Sequence, residues 1–304
     1  MAGKERLIFS SVVYATEFSE TAAVLLAESI RDFAGALSKV PIRYVVTDYG
    51  KKLSLPTRQK LQRLGVELMP FKMDPETAKF PFAAYVNAAE FAEIEARENT
   101  EVLAWLASNT IMLKEPRDFK LNPKVILGYR PVHHTLIGSR FSKPLDLFWT
   151  LVYEYCAVPE ERIFPMTAHI DGVEIRPYFN AGFLITRPER QLFQTWRSVF
   201  FDVYQKPDFQ EFYAKDERYA IFVHQAILSG VVLASLRIGE LLELPPDYNY
   251  PLHLYGEDVT ANRPGSMDEL ITARHEGLKD PDWMKNMPMG KELRGWLTQM
   301  LCCD

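Results

Sequence analysis

The sequence predicts an α/β fold: a Rossmann-type sheet, mixed but mainly parallel, flanked by helices. Three observations carry this expectation. Apolar, β-branched runs alternate with helical patterns through the first hundred residues. Those runs are almost unbroken in hydrophobicity, as strands covered on both faces must be. The chain has 304 residues, of which 47% are hydrophobic, enough for a large core.

The elements follow in order. Residues 7–15, LIFSSVVYA, read as a first strand. A helix is expected over 19–39. Leu26, Ile30, Phe33 and Leu37 fall on one face of it, with Ser19 as N-cap and Glu20 in the first turn. Residues 42–48, IRYVVTD, form a second strand, and 55–65 a short helix stopped by Gly65. Residues 66–71 give a third strand, the Ala- and Glu-rich 82–99 a helix, and 102–106, VLAWL, a fourth strand. That strand breaks into Ala107-Ser108-Asn109-Thr110 before resuming at Ile111-Met112-Leu113. Parallel sheets take ligands at the carboxyl ends of their strands. Here those ends are Ala15-Thr16, Thr47-Asp48 and Ser108-Asn109-Thr110.

Beyond residue 115 the pattern is less regular. A strand is expected near 125–130, a helix near 145–155 and a strand at Phe183 to Ile185. Pro188 suits a helix start, where its missing N–H does no harm, and Leu192, Trp196, Val199 and Val203 mark the buried face that follows. A helix over 218–229 should lead into a strand at 230–235, GVVLAS. An aromatic-rich loop spans 243–255, and 290–301 is amphipathic. With no repeat, low-complexity tract or linker, one continuous domain over 1–304 is expected.

A net charge of −5 without a long basic block argues against nucleic acid and anionic membrane as partners. No run approaches 18 apolar residues, so no membrane insertion is expected, and the first residues read as a strand rather than a signal peptide. Cys156, Cys302 and Cys303 make neither a metal spacing nor a paired framework, which fits a reducing cytoplasm. There is no Gly-rich phosphate loop, dinucleotide fingerprint or hydrolase elbow.

Several side chains are candidates for chemistry. Asn180-Ala181-Gly182 precedes a strand; an amide that donates and accepts, beside a residue without bulk, suits a polyhydroxyl ligand, and equally an ordinary turn. His224-Gln225 gives a helix a polar edge or a base near neutral pH. His133 and His134 diverge if extended, whereas His169 and Asp171 share a strand face; a catalytic metal, however, wants three converging protein ligands.

Taken in order, these features resemble a family. Strand–helix repeats are followed by the polar triplet after 102–106 and the Asn180-Ala181-Gly182 strand entry. Then come the His224-Gln225 pair, LPPDYNYPL at 244–252, and a late loop with His275, Gly277, Lys279 and Trp283. The chain is similar to the GT-A nucleotide-diphospho-sugar transferases, most of all the glycogenin and lipopolysaccharide galactosyltransferase-like group, over roughly residues 7–285. The resemblance implies a nucleotide-binding half over 1–115, a sugar and acceptor half over 116–290, and a C-terminal helix over 291–304. It places Ala15, Thr16 and Asp48 near the nucleoside, and Ser108 and Asn109 at the ribose or diphosphate. Asn180, Ala181 and Gly182 would frame the sugar, His224 and Gln225 would flank the reacting centre, and His275 and Lys279 would face the phosphates.

The chain departs from the family where the family binds metal. An Asp-X-Asp that holds Mn²⁺ or Mg²⁺ against the diphosphate is replaced by Ala107-Ser108-Asn109. A methyl and a neutral amide are poor ligands for a divalent ion, which prefers several charged oxygens, so the metal is disfavoured and no metal ligand is assigned. Near Tyr85 the family has a basic residue, and in place of its Asp-Gln stands His224-Gln225. Arg130, Arg140 and Lys143 are candidates for the missing positive charge. The expected activity is transfer of a sugar from a nucleotide-diphosphate sugar to an acceptor that no motif identifies, with weak or no metal dependence. The alternatives are a GT-A-like binding protein without catalysis, and an α/β metalloenzyme built on His169 and Asp171.

Overall fold

The apolar runs of the first hundred residues pair side by side. A computed structural model describes residues 6–48, 51–277 and 286–302, without the side chains of Asp48, Leu301 and Cys302. Strands β1 (Ile8–Val13), β2 (Ile42–Asp48), β3 (Val66–Lys72) and β4 (Leu103–Leu106) are mutually parallel. They are joined by helices α1 (Glu17–Phe33), α2 (Leu55–Arg63), α3 (Pro75–Ala78) and α4 (Ala83–Arg97). After β4 the chain makes a short strand β5 (Thr110–Met112), then β6 (Leu127–Pro131), α5 (Leu147–Tyr155) and a small hairpin of β7 (Met166–Thr167) and β8 (Glu174–Ile175). The long β9 (Phe179–Thr186) leads to α6 (Leu192–Val203), α7 (Pro207–Lys215), α8 (Glu217–Ser235) and β10 (Leu241–Glu243). Last come β11 (Tyr250–Pro251), β12 (Thr272–Arg274) and α9 (Lys291–Cys302).

The main sheet runs β10-β6-β9-β4-β1-β2-β3. Only β9 opposes the rest: it is antiparallel to β4 and β6, while β10 is parallel to β6. The sheet is therefore mixed and mainly parallel, as predicted. Because β9 runs backwards, its first residues lie at the edge where β1, β2 and β4 end. Both faces are covered. Alternate residues such as Val12, Val45, Leu103 and Trp105 pack with α4, α6 and α8. Phe9, Tyr44, Ala104 and Leu106 pack on the other side with α1 and α2. A second sheet, β11-β12-β5, buries Ile111, Tyr250 and Ala273 against α9.

Two local expectations change. Thr16, not Ser19, caps α1: its hydroxyl accepts from Ser19 N at 3.3 Å, while Ser19 Oγ accepts from Tyr14 N at 2.9 Å and ties the helix start back to the strand. With two hydroxyls three residues apart, the one at the strand exit becomes the cap. The strand expected at 230–235 is instead the last part of α8. Val231 and Val232 favour a strand in isolation, but propensity is a weak prior against burial on all sides between α5, α6 and the sheet. Of the described helices, α8 alone is long and apolar enough to cross a membrane, and it serves as a core helix whose residues from Val223 to Leu233 are buried.

Gly230 allows this packing. A Cβ there would stand 2.5 Å from Cys156 Sγ and 2.8 Å from Cys156 Cβ, at the end of α5. Gly230→Ala should therefore destabilise the fold by about 1–3 kcal/mol through overpacking. Urea denaturation measures it, and an unchanged midpoint would contradict the close α5–α8 contact.

Candidate active site

The entry of β9 is held from below by α8. There the backbone has run past the end of β4, so two of its N–H groups need other partners. Gln225 and Ser229, one helical turn apart on α8, supply them: Phe179 N donates to Ser229 Oγ at 3.0 Å and Ala181 N to Gln225 Oε1 at 2.9 Å. Tyr85 OH donates to Ala181 O at 3.0 Å from α4, and Gly182 N closes a turn on Asn180 Oδ1 at 3.0 Å. Asn180 Nδ2 is thereby turned toward His133 Nε2, 3.4 Å away.

Two further segments meet this turn. The loop after β4 is tied to it by Ala107 N donating to Gly182 O at 2.8 Å. The same loop is clamped to the end of β12 by His275 N donating to Asn109 O at 3.0 Å and Asn109 Nδ2 donating to His275 O at 2.7 Å. The register of β12 against β5, with Arg274 opposite Thr110, extends this clamp. A Cβ added at Gly182 would lie 3.3 Å from Ala107 Cβ and from Asn180 Oδ1, and 3.4 Å from Arg274 Nη1. A side chain here would crowd all three neighbours. Arg274 Nε lies 3.3 Å from Glu276 Oε1.

Asn180, Gln225, Arg274 and Glu276 border a cleft of about 350 Å³, whose walls also include His133, His134 and His253. Phe82 stands at its rim with φ at +59° and its side chain exposed. A left-handed phenylalanine is strained. It is supported by stacking on His224, centroids 4.2 Å apart and planes 9° from parallel. On its other side Phe82 walls a second cleft of about 530 Å³ with Tyr14, Lys79 and Phe80.

The predicted residues separate into groups. Ser108, Asn109, Asn180, Ala181, Gly182 and Gln225 come together as described. Ala15 and Thr16 follow β1 at the same edge of the sheet, and Phe18, two residues on, has its ring 6.2 Å from that of His275. Asp48 ends β2 on this edge too, paired in register with Lys72; its side chain lies outside the described residues, as do Lys279 and Trp283. His224 is placed differently from expectation. Its ring is buried, with Nδ1 2.8 Å from Ile221 O, and burial pushes its pKa down to about 3. It supports Phe82 from within the core.

Neither the proposed cations nor the His–Asp pair holds up. Arg130 is buried on β6, donating to Leu244 O and pairing with Glu243. Arg140 and Lys143 lie on the α5 side, where their carbonyls accept from Arg176. Asp171 is occupied by Thr135 N and Oγ1 and by Val173 N, so it organises a loop. Among the described residues no group of three or more His, Cys, Asp or Glu is placed to hold a metal ion. The Asp-X-Asp position is a poor fit for one too: Ala107 is a methyl, and Asn109, anchored through Nδ2 to His275 O, offers only a neutral amide oxygen. Sequence reasoning missed Arg274, Glu276 and His253, although Arg274 and Glu276 flank His275 directly and must alternate to its opposite face.

The profile of the Rhodobacterales glycosyltransferase domain matches residues 11–233. No curated protein matches the sequence. Among solved structures, the galactosyltransferase LgtC in complex with donor and acceptor sugar analogs is 13% identical, with 95% of this chain and 99% of that one covered at a TM-score of 0.52. The apo bifunctional glycosyltransferase WbbM is 13% identical, over 100% of this chain and 50% of that one, at 0.52. GlyE of Streptococcus pneumoniae TIGR4 is 14% identical, over 99% and 61%, at 0.50. At these identities the likeness establishes the GT-A fold.

Three buried histidines and the half-buried His133 give the fold a pH signature. Burial holds His133 well below its ordinary value, His169 at about 2, and His224 and His275 at about 3. A histidine depressed in the fold stabilises it above about pH 6.5 and loses that contribution as pH falls toward the folded value. Glu93, pushed up to about 7 by burial under the start of α6, acts oppositely: its contribution is present below about pH 4.5 and lost as pH rises through 7. The histidines are more numerous and displaced further than Glu93. The melting temperature should therefore fall steadily between pH 6.5 and 4.5 in a thermal-shift series. A flat or rising profile would contradict their burial as neutral rings.

Proposed function

The chain belongs to the Rhodobacterales glycosyltransferase domain family, and from that premise we propose that the cleft at the carboxyl edge of the sheet binds a nucleotide-diphosphate sugar without a divalent metal and passes the sugar to an acceptor hydroxyl. One observation carries the reading. The Ala107–Asn109 loop, the Asn180–Gly182 turn and the end of β12 are hydrogen-bonded to one another at the edge where β1 and β2 also end. Open α/β sheets take ligands at that edge. The cleft volume of about 350 Å³ suits a sugar ring.

In this reading the nucleoside lies toward Ala15, Thr16 and Asp48, the diphosphate at Ser108 and Asn109, and the sugar against Asn180 and Gly182. Transfer breaks the bond from the anomeric carbon to the diphosphate oxygen, which keeps the electron pair. The same carbon bonds to the acceptor oxygen, whose proton is released. The departing diphosphate gains negative charge, so stabilising it is the main demand on the site. Support for a metal-free site is the methyl at Ala107 and the neutral amide at Asn109, which leave the loop without a carboxylate. The free, buried Cys156 is consistent with a reducing compartment, and we place the protein in the cytoplasm.

Calorimetry with UDP, GDP and their hexose conjugates, with and without Mn²⁺, tests this. One nucleotide pair should bind, with an affinity that Mn²⁺ alters by less than about threefold, and slow release of free nucleotide from the conjugate should follow. Absence of binding to every nucleotide overturns the reading. Binding with no nucleotide release makes the chain a binding protein instead, and a requirement for Mn²⁺ removes the metal-free part.

A further inference from the structure

Resting on that reading, we infer that Arg274 takes the place of the divalent metal, its guanidinium holding the donor diphosphate at the loop that lacks carboxylates. The placement is direct. Arg274 Nη1 lies 3.4 Å from where a Gly182 Cβ would be, and that point is 3.3 Å from Ala107 Cβ and Asn180 Oδ1. The cation and the loop position that would otherwise carry the first metal-binding carboxylate thus face the same point on the Gly182 turn. It is reached from β12, whose Arg274 sits opposite Thr110, directly after the loop.

The charges match as a set. A pair of aspartates at 107 and 109 would neutralise an arginine beside them and would need a dication to leave net positive charge for a diphosphate. With Ala107 and Asn109 neutral, a single guanidinium supplies that charge. Among the described residues its ion-pair partner is Glu276, at 3.3 Å, and Arg274 Nε makes no hydrogen bond there. Glu276 has a side chain 48% exposed and Arg274 one 27% exposed, so the pair is open to the cleft it lines. A guanidinium presents a planar fork of donors that fits two phosphate oxygens. In the free protein Glu276 is then the stand-in anion, which the diphosphate displaces.

Three variants read this out by calorimetry, using whichever of UDP, GDP, ADP and CDP the wild type binds and the matching nucleoside. Arg274→Gln should weaken the diphosphate about tenfold to a hundredfold while leaving the nucleoside unchanged, with a melting curve that shows the variant folded. Arg274→Lys, which keeps the charge without the fork, should recover part of the loss. Glu276→Gln, by removing the competing carboxylate, should tighten the diphosphate. A diphosphate-to-nucleoside affinity ratio unchanged in both Arg274 variants overturns the inference and leaves the transferase reading standing. A wild type that binds no nucleoside diphosphate overturns both.

Discussion

Two amide N–H groups at the entry of β9 set the rest of the site. A buried amide left without a partner costs about 1–3 kcal/mol, and at Phe179 and Ala181 the partners are side chains of α8. That need fixes how far α8 stands from the sheet and which face it turns inward, with Gln225 and Ser229 one turn apart. Gly230, next to Ser229, then has to pass Cys156 without a side chain. Tyr85 closes the arrangement from α4. With the strand entry held on both sides, Gly182 O is in position to receive Ala107 N, and the loop after β4 takes its place.

From there the order of the site follows. The loop is clamped to β12 through Asn109 and His275, so the arginine before His275 is carried to Gly182. The chemistry of the loop and that of the strand end are complementary: the one has lost its negative charge, and the other brings a positive charge to the same point. His133, His224 and His275 add no positive charge beside Arg274, because desolvation disfavours their protonated forms.

Much of the fold was legible because strands buried on both faces leave unbroken apolar runs. β1, β2, β3 and β4 all fall where those runs lie, and the break after Leu106 falls at the carboxyl edge of the sheet. The second half of α8 was not legible, since Gly-Val-Val-Leu has the composition of a buried strand and only its packing against α5 decides between the two. At the site, Asn180 and Gly182 carried a signal in residue type, and Gln225 was found through its place in the family's order. The role of Gln225 was hidden, because it depends on an N–H of a strand distant in sequence. Arg274 left no signal beyond its place next to His275: β12 is three residues long, too short for a periodic pattern, and its register with β5 brings the residue opposite Thr110. The burial of His224 was hidden too, since a polar pair on a helix says nothing about how deeply either member is packed.

Hydrogen–deuterium exchange in the presence of the nucleoside diphosphate that the protein binds tests the central claim most directly. If the three tied segments form one ligand-binding unit, protection should rise together in peptides covering 104–112, 179–183 and 272–275. Protection confined to one of these segments, or appearing instead at the cleft bordered by Phe141, Leu145 and Arg176, would contradict the account.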